Sequence, residues 1–178
     1  MAETMTGRPE AYTAAQRSEK ARFRDMYTRE HATTAKVLAA YPQHKAGLKA
    51  HERSSSAHQI AWTFVVEEAL ILKALRNEDF VGGGFPQAPE SWDAVIAAFH
   101  AQHDEILDLL RDSTNPDLEG TTRFYTGPKQ IGEYPLAEFL TFMLHDQIHH
   151  RGQLSVYLRL AGAKVPSIYG PSADEPWN

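Results

Sequence analysis

Four of the nine residues in His145-Asp-Gln-Ile-His-His-Arg-Gly-Gln153 carry groups that can ligate a metal or move a proton, and no other stretch of the chain concentrates so much chemistry. Imidazole and carboxylate together suit a divalent ion such as Zn²⁺, Ni²⁺ or Fe²⁺; they equally make a satisfied hydrogen-bonded pair in a metal-free interior. The 178 residues include no cysteine, so any ion must be held by nitrogen and oxygen atoms, and there is neither a thiolate nucleophile nor a disulfide framework. The absence of cysteine is compatible with a cytoplasmic location.

Which of these side chains face inward depends on the elements that carry them. The spacing of Phe23, Tyr27, Thr34, Val37, Leu38 and Tyr41 predicts a first helix over roughly 17–40, closed by Pro42. Residues 1–16 read as a mobile lead-in. Ser54-Ser-Ser caps a second helix that runs to about Arg76 and is apolar nearly all round, which places it in the centre of the domain. After the glycine- and proline-rich loop 80–89, a third helix is expected over about 90–111, with Trp92, Val95, Ile96, Phe99, Ile106, Leu109 and Leu110 on one face. Residues 112–134 read as a long connection spanning the end of a bundle. Pro135 suits the first position of a fourth helix, and Gly162 suits its αL terminator. The pattern predicts one all-α four-helix-bundle domain over 1–178, with an irregular tail, carrying Ile168, Tyr169 and Trp177, that packs along the bundle.

The net charge of −5 and scattered lysines and arginines offer no basic surface for nucleic acid. The longest apolar runs, such as Ile60–Val66, fall far short of the roughly 20 residues a membrane-spanning helix needs.

On a helical wheel of the fourth helix, Leu136, Leu140, Met143, Leu144, Leu154 and Leu158 define the core face, with Leu140 at zero. Asp146 at about 240° and His150 at about 280° sit on an inward shoulder, whereas His145 and His149 at about 140° and 180° turn away. Asp146 and His150 have the i, i+4 spacing that lets two ligands meet one ion. On the second helix Thr63 and Glu67 share a polar stripe. A buried Glu67 carboxylate needs a partner, which a metal, an arginine such as Arg151, or a hydrogen-bond network could supply. His31, His44, His51, His100 and His103 read as solvated.

The run His-His-Arg-Gly-Gln-Leu-Ser-Val-Tyr-Leu-Arg-Leu-Ala-Gly, followed by Val-Pro-Ser-Ile-Tyr-Gly-Pro, resembles the DinB family of the DinB/YfiT-like superfamily. The resemblance implies a four-helix bundle, a homodimer, and one divalent ion held by a helix-two histidine and two helix-four residues one turn apart, here Asp146 and His150. Where relatives read Ile-Ala-Trp-His this chain has Ile60-Ala-Trp-Thr63, so Glu67 or His58 is left to stand in as the third ligand. The implied function is a metal-dependent enzyme, a thiol-dependent S-transferase or a hydrolase acting on a small electrophile. The alternative is a metal-free, stress-related binding or structural homodimer.

Overall fold

A computed structural model describes residues 18–79, 81 and 84–177. The order is α1 (Glu19–Ala40), α2 (Ala57–Leu75), α3 (Trp92–Arg111), β1 (Thr121–Gly127), β2 (Gln130–Pro135) and α4 (Leu136–Leu160), with one short 3₁₀ turn at Gln43–Lys45. The expected lead-in lies outside the described residues.

The helix ends follow local chemistry. Ser18 and Ser91 cap α1 and α3 by accepting from Ala21 N–H and Ala94 N–H. Of the three consecutive serines before α2 it is Ser56 that caps, in a reciprocal box with Gln59. Pro135 sits one residue outside α4, as its cap. At the other end Gly162, at φ 72°, takes the left-handed conformation, and Gly162 N–H and Ala163 N–H donate to the carbonyls of Arg159 and Leu158.

The expectation of an all-α chain is corrected by the antiparallel hairpin β1–β2, which pairs Thr121 with Pro135, Arg123 with Glu133 and Tyr125 with Ile131, with a bulge before Gly127. An isolated two-stranded hairpin is marginal in water, so its stability comes from packing. Phe124 supplies this, lying 5.3 Å from the Phe139 ring of α4, while Tyr134 stacks on Phe142 at 6.2 Å. Replacing the half-buried Phe124 with alanine is expected to cost about 1–2 kcal/mol. Native-state hydrogen exchange should then speed up in 121–135 and leave α2 unchanged.

The core divides into two apolar clusters. One contains Phe23, Tyr27, Ile71, Ile106, Leu110, Leu140 and Leu144; the other contains Val37, Leu38, Phe64, Trp92, Phe99, Leu154 and Leu158. The clusters also give the helix directions: α1 and α4 run from the first to the second, α2 and α3 from the second to the first. Two parallel neighbours require the α2–α3 connection to return along the bundle. Trp62 Nε1 on α2 donates to the carbonyl of Pro86 at 3.0 Å as it passes. The lengthwise crossover is therefore the α2–α3 connection, and the 112–135 segment stays at one end.

Between the two clusters lies a polar waist. His31, Thr34, Glu67, Glu68, His103, Gln147 and Arg151 are all buried there, at the middle of their helices. No helix among the described residues is long and apolar enough to cross a membrane.

Candidate metal centre

Glu67, Asp146 and His150 meet at the α2–α4 contact, each offering a ligand atom within 4.8 Å of the others. His150 Nδ1 lies 3.0 Å from Glu67 Oε1 and 3.7 Å from Asp146 Oδ1. Glu67 is 3% exposed, and its second oxygen, Oε2, is buried with no hydrogen-bond partner. Burial pushes the Glu67 carboxyl up to about 8, against the pull of the His150 hydrogen bond and with Asp146 adding to the rise. His150 is raised too, chiefly through its hydrogen bond with Glu67. Both shifts favour the protonated forms, and because metal ligands must shed their protons, an ion bound here would displace protons from the pair.

Several sequence-based placements hold in space. His145 and His149 are exposed, and His149 contacts Gln153 rather than the core. Thr63, at the position of the missing histidine, bonds back to the Gln59 carbonyl and takes no part in the group. His58 packs near Trp92, 6.4 Å between ring centroids, and is not brought to Glu67.

Arg151 is inward as expected, but Glu67 is not its partner. Its Nη2 lies 2.7 Å from Glu30 Oε2 and donates to Tyr169 Oη at 2.5 Å, while Nη1 reaches Thr34 and the Glu30 carbonyl. Tyr169 donates in turn to Glu30 at 2.7 Å, which fastens the tail to α1 and α4.

The reading of His31 and His103 as solvated is corrected, since both are 6% exposed. Their rings stack at 3.5 Å between centroids. His31 Nδ1 lies 3.3 Å from Glu68 Oε1, an oxygen that also accepts from Tyr27 Oη at 2.7 Å. Burial lowers His31 to about 3 and His103 to about 4, so both are neutral imidazoles at physiological pH. Periodicity carries the signal for all three positions. His31 continues the Phe23–Tyr27 stripe, Glu68 the Phe64–Ile71 stripe and His103 the Phe99–Ile106 stripe.

Beside the Glu67 group a cleft of about 490 Å³ opens between α4 and the turn before α2, lined by Ser54, Ser55, Ile60, His150, Val156 and Tyr157 among others. Tyr157 Oη donates to the Ser55 carbonyl at 2.8 Å and ties the two walls together.

The DinB family model matches residues 18–177, all four helices and the tail. The chain belongs to the DinB family. Its fold is that of two solved DinB-like structures. One, from Bacillus cereus ATCC 10987, has a TM-score of 0.67 at 24% identity over 83% of this chain and 95% of that one. The other, from Bacillus subtilis, has a TM-score of 0.63 at 15% identity over 82% and 95%. The uncharacterized protein YrdA of Bacillus subtilis (strain 168) is 46% identical over 89 residues, 49% of this DinB chain and 50% of that protein, so the match spans half the length of the curated relative. Within the family these donors are suited to a metal, because two carboxylates and an imidazole form an N/O ligand set and a buried Glu67 oxygen has no other partner.

Proposed function

We propose that the chain is a divalent-metal-dependent enzyme in which Glu67, Asp146 and His150 hold one ion beside the cleft. The reaction proposed is attack of a low-molecular-weight thiol, or of water, on a small electrophile: the nucleophile loses its proton, a new bond to sulfur or oxygen forms, and the electrophile's leaving group departs with the electron pair of the bond that breaks. The observation that carries this reading is the unpartnered Oε2 of Glu67, a buried acceptor turned toward neither a donor nor solvent. A bound ion supplies Lewis-acid chemistry, lowering the pKa of a thiol or water.

The protein supplies the rest. Packing of α2 on α4 fixes Glu67 against His150, so two of the three donors are pre-positioned by the core and only half-buried Asp146 has freedom to adjust. Ile60, Val156 and Tyr157 give the cleft apolar walls, and Ser54, Ser55 and Gln153 give it polar groups to orient a ligand. At about 490 Å³ the space suits a small molecule rather than a polymer.

Elemental analysis of protein purified without a histidine tag tests the reading. A metal content that falls by about one ion per chain in His150→Ala is expected; a metal content indifferent to that substitution would sink the proposal. A second reading, a metal-free and non-catalytic binding or structural homodimer, is favoured by one contact. The Glu67–His150 ion pair closes at 3.0 Å and satisfies His150 without an ion. No uptake of offered Zn²⁺, Ni²⁺ or Fe²⁺ together with a dimer in sedimentation would select it.

A further inference from the structure

We propose that His31, Glu68 and His103 form a second divalent-metal site, enclosed between α1, α2 and α3 and independent of the Glu67 group. Two imidazoles and one carboxylate offer ligand atoms within 4.8 Å of one another, and the three residues are no more than 6% exposed. The set is the two-histidine, one-carboxylate combination that suits Zn²⁺ and Fe²⁺, and it lacks the many oxygens that Ca²⁺ requires.

Two independent observations point to a ligand. Glu68 Oε2 and His103 Nδ1 are both buried with no hydrogen-bond partner, on different helices that converge on the same place. Each would cost free energy to leave unmade, and one cation would satisfy both. The second observation lies behind the cluster. His31 presents Nδ1 to Glu68 at 3.3 Å while its Nε2 meets His100 Nδ1 at 3.0 Å. A ligating histidine usually has its other ring nitrogen fixed in this way by an outer partner. Tyr27 Oη, donating to Glu68 Oε1, holds the carboxylate with Oε2 left over.

Metal–nitrogen bonds of about 2.1 Å bring ligand atoms to within roughly 3–4 Å of one another. Ion binding therefore draws the three side chains slightly inward, with His103 sliding along the face of His31. All three ligand residues are buried, so the ion acts as a clamp between α1, α2 and α3 rather than as a catalyst.

The test uses the full chain without a tag, dialysed to equilibrium against Zn²⁺ alone and then analysed for zinc per chain. Wild type is expected to hold two ions; Glu68→Gln and His103→Gln one; His150→Gln one; and His103→Gln/His150→Gln none. Wild-type stoichiometry retained in both Glu68→Gln and His103→Gln overturns the proposal, whatever His150→Gln does. Zinc lost from Glu68→Gln and His103→Gln but not from His150→Gln supports this site while removing the catalytic one. Should the variants fail to fold, the wild-type protein still decides. Its His31 and His103 ¹⁵N imidazole resonances should shift on addition of Zn²⁺, and resonances that stay in place as other histidines respond overturn the proposal.

Discussion

Alanine at position 151 is expected to lower the free energy of unfolding by about 3 kcal/mol, measured by urea denaturation at neutral pH. The Arg151 side chain is 2% exposed and its partner Glu30 15%, so the substitution leaves a carboxylate that is mostly shielded from water and has lost its cation. Partial exposure of Glu30 keeps the loss near the lower end of what breaking a buried pair costs. The same guanidinium donates to Tyr169 and lies 5.0 Å from the centre of its ring, so the tail loses its anchor as well. Tyr169→Phe, which removes only the hydroxyl shared by Arg151 and Glu30, should cost about 1 kcal/mol. If Arg151→Ala costs no more than Tyr169→Phe, the ion pair is not what holds α1 against α4. In the alanine variant amide exchange should rise first in 165–177, because Val165 and Ile168 cover the second apolar cluster only while the tail is pinned.

What could be read from the chain before its structure follows from which forces are local. Four helices were legible to within a residue or two because serine caps, Pro42 and Gly162 act on their own neighbourhoods, and because Leu140, Leu144, Leu154 and Leu158 repeat with the helical period. The inward turn of Asp146 and His150 was legible for the same reason. The hairpin was not: Thr121–Pro135 has glycines at 127 and 132 and a lysine at φ 59°, a weak strand pattern whose stability comes from Phe139 and Phe142 on another element. Partner choice was equally hidden. Arg151 and Glu67 both point into the waist, but whether they meet depends on the rotation of α1 relative to α4, which put Glu30 and Thr34 within reach of the guanidinium instead. The buried histidines escaped for a different reason. His31 and His103 occupy apolar-stripe positions, and a polar residue on such a stripe is visible only when each helix is laid out on its own wheel rather than judged by residue type.

Replacing Glu67 by methionine is expected to stabilise metal-free protein while abolishing metal uptake at its site. Methionine fills comparable volume without a charge, so the cost of burying a carboxylate with an unpartnered oxygen disappears, while His150, partly exposed and 3.7 Å from Asp146, keeps access to water and to a second carboxylate, which leaves a net gain of about 1 kcal/mol. The gain should depend on pH in a direction set by linkage. Glu67 in the folded chain titrates near 8, well above an ordinary carboxyl, so the wild-type fold is favoured by proton binding below about 4.5 and loses that advantage as pH rises through 8. The melting temperature of Glu67→Met minus that of wild type should therefore widen from pH 5 to pH 8 when both are stripped with chelator. With metal present the order should reverse, because at the Glu67 site the ion binds only folded wild type, whereas the His31–Glu68–His103 site is common to both proteins. Removing a ligand should weaken binding there by at least about 100-fold, the upper end of what disturbing an outer partner alone costs. Calorimetric scans of both proteins at pH 5 and pH 8 without metal, and at pH 8 over a range of Zn²⁺ concentrations, measure all of this. A variant less stable than wild type in the absence of metal would show that the Glu67–His150 pair, rather than an ion, is what this carboxylate is for.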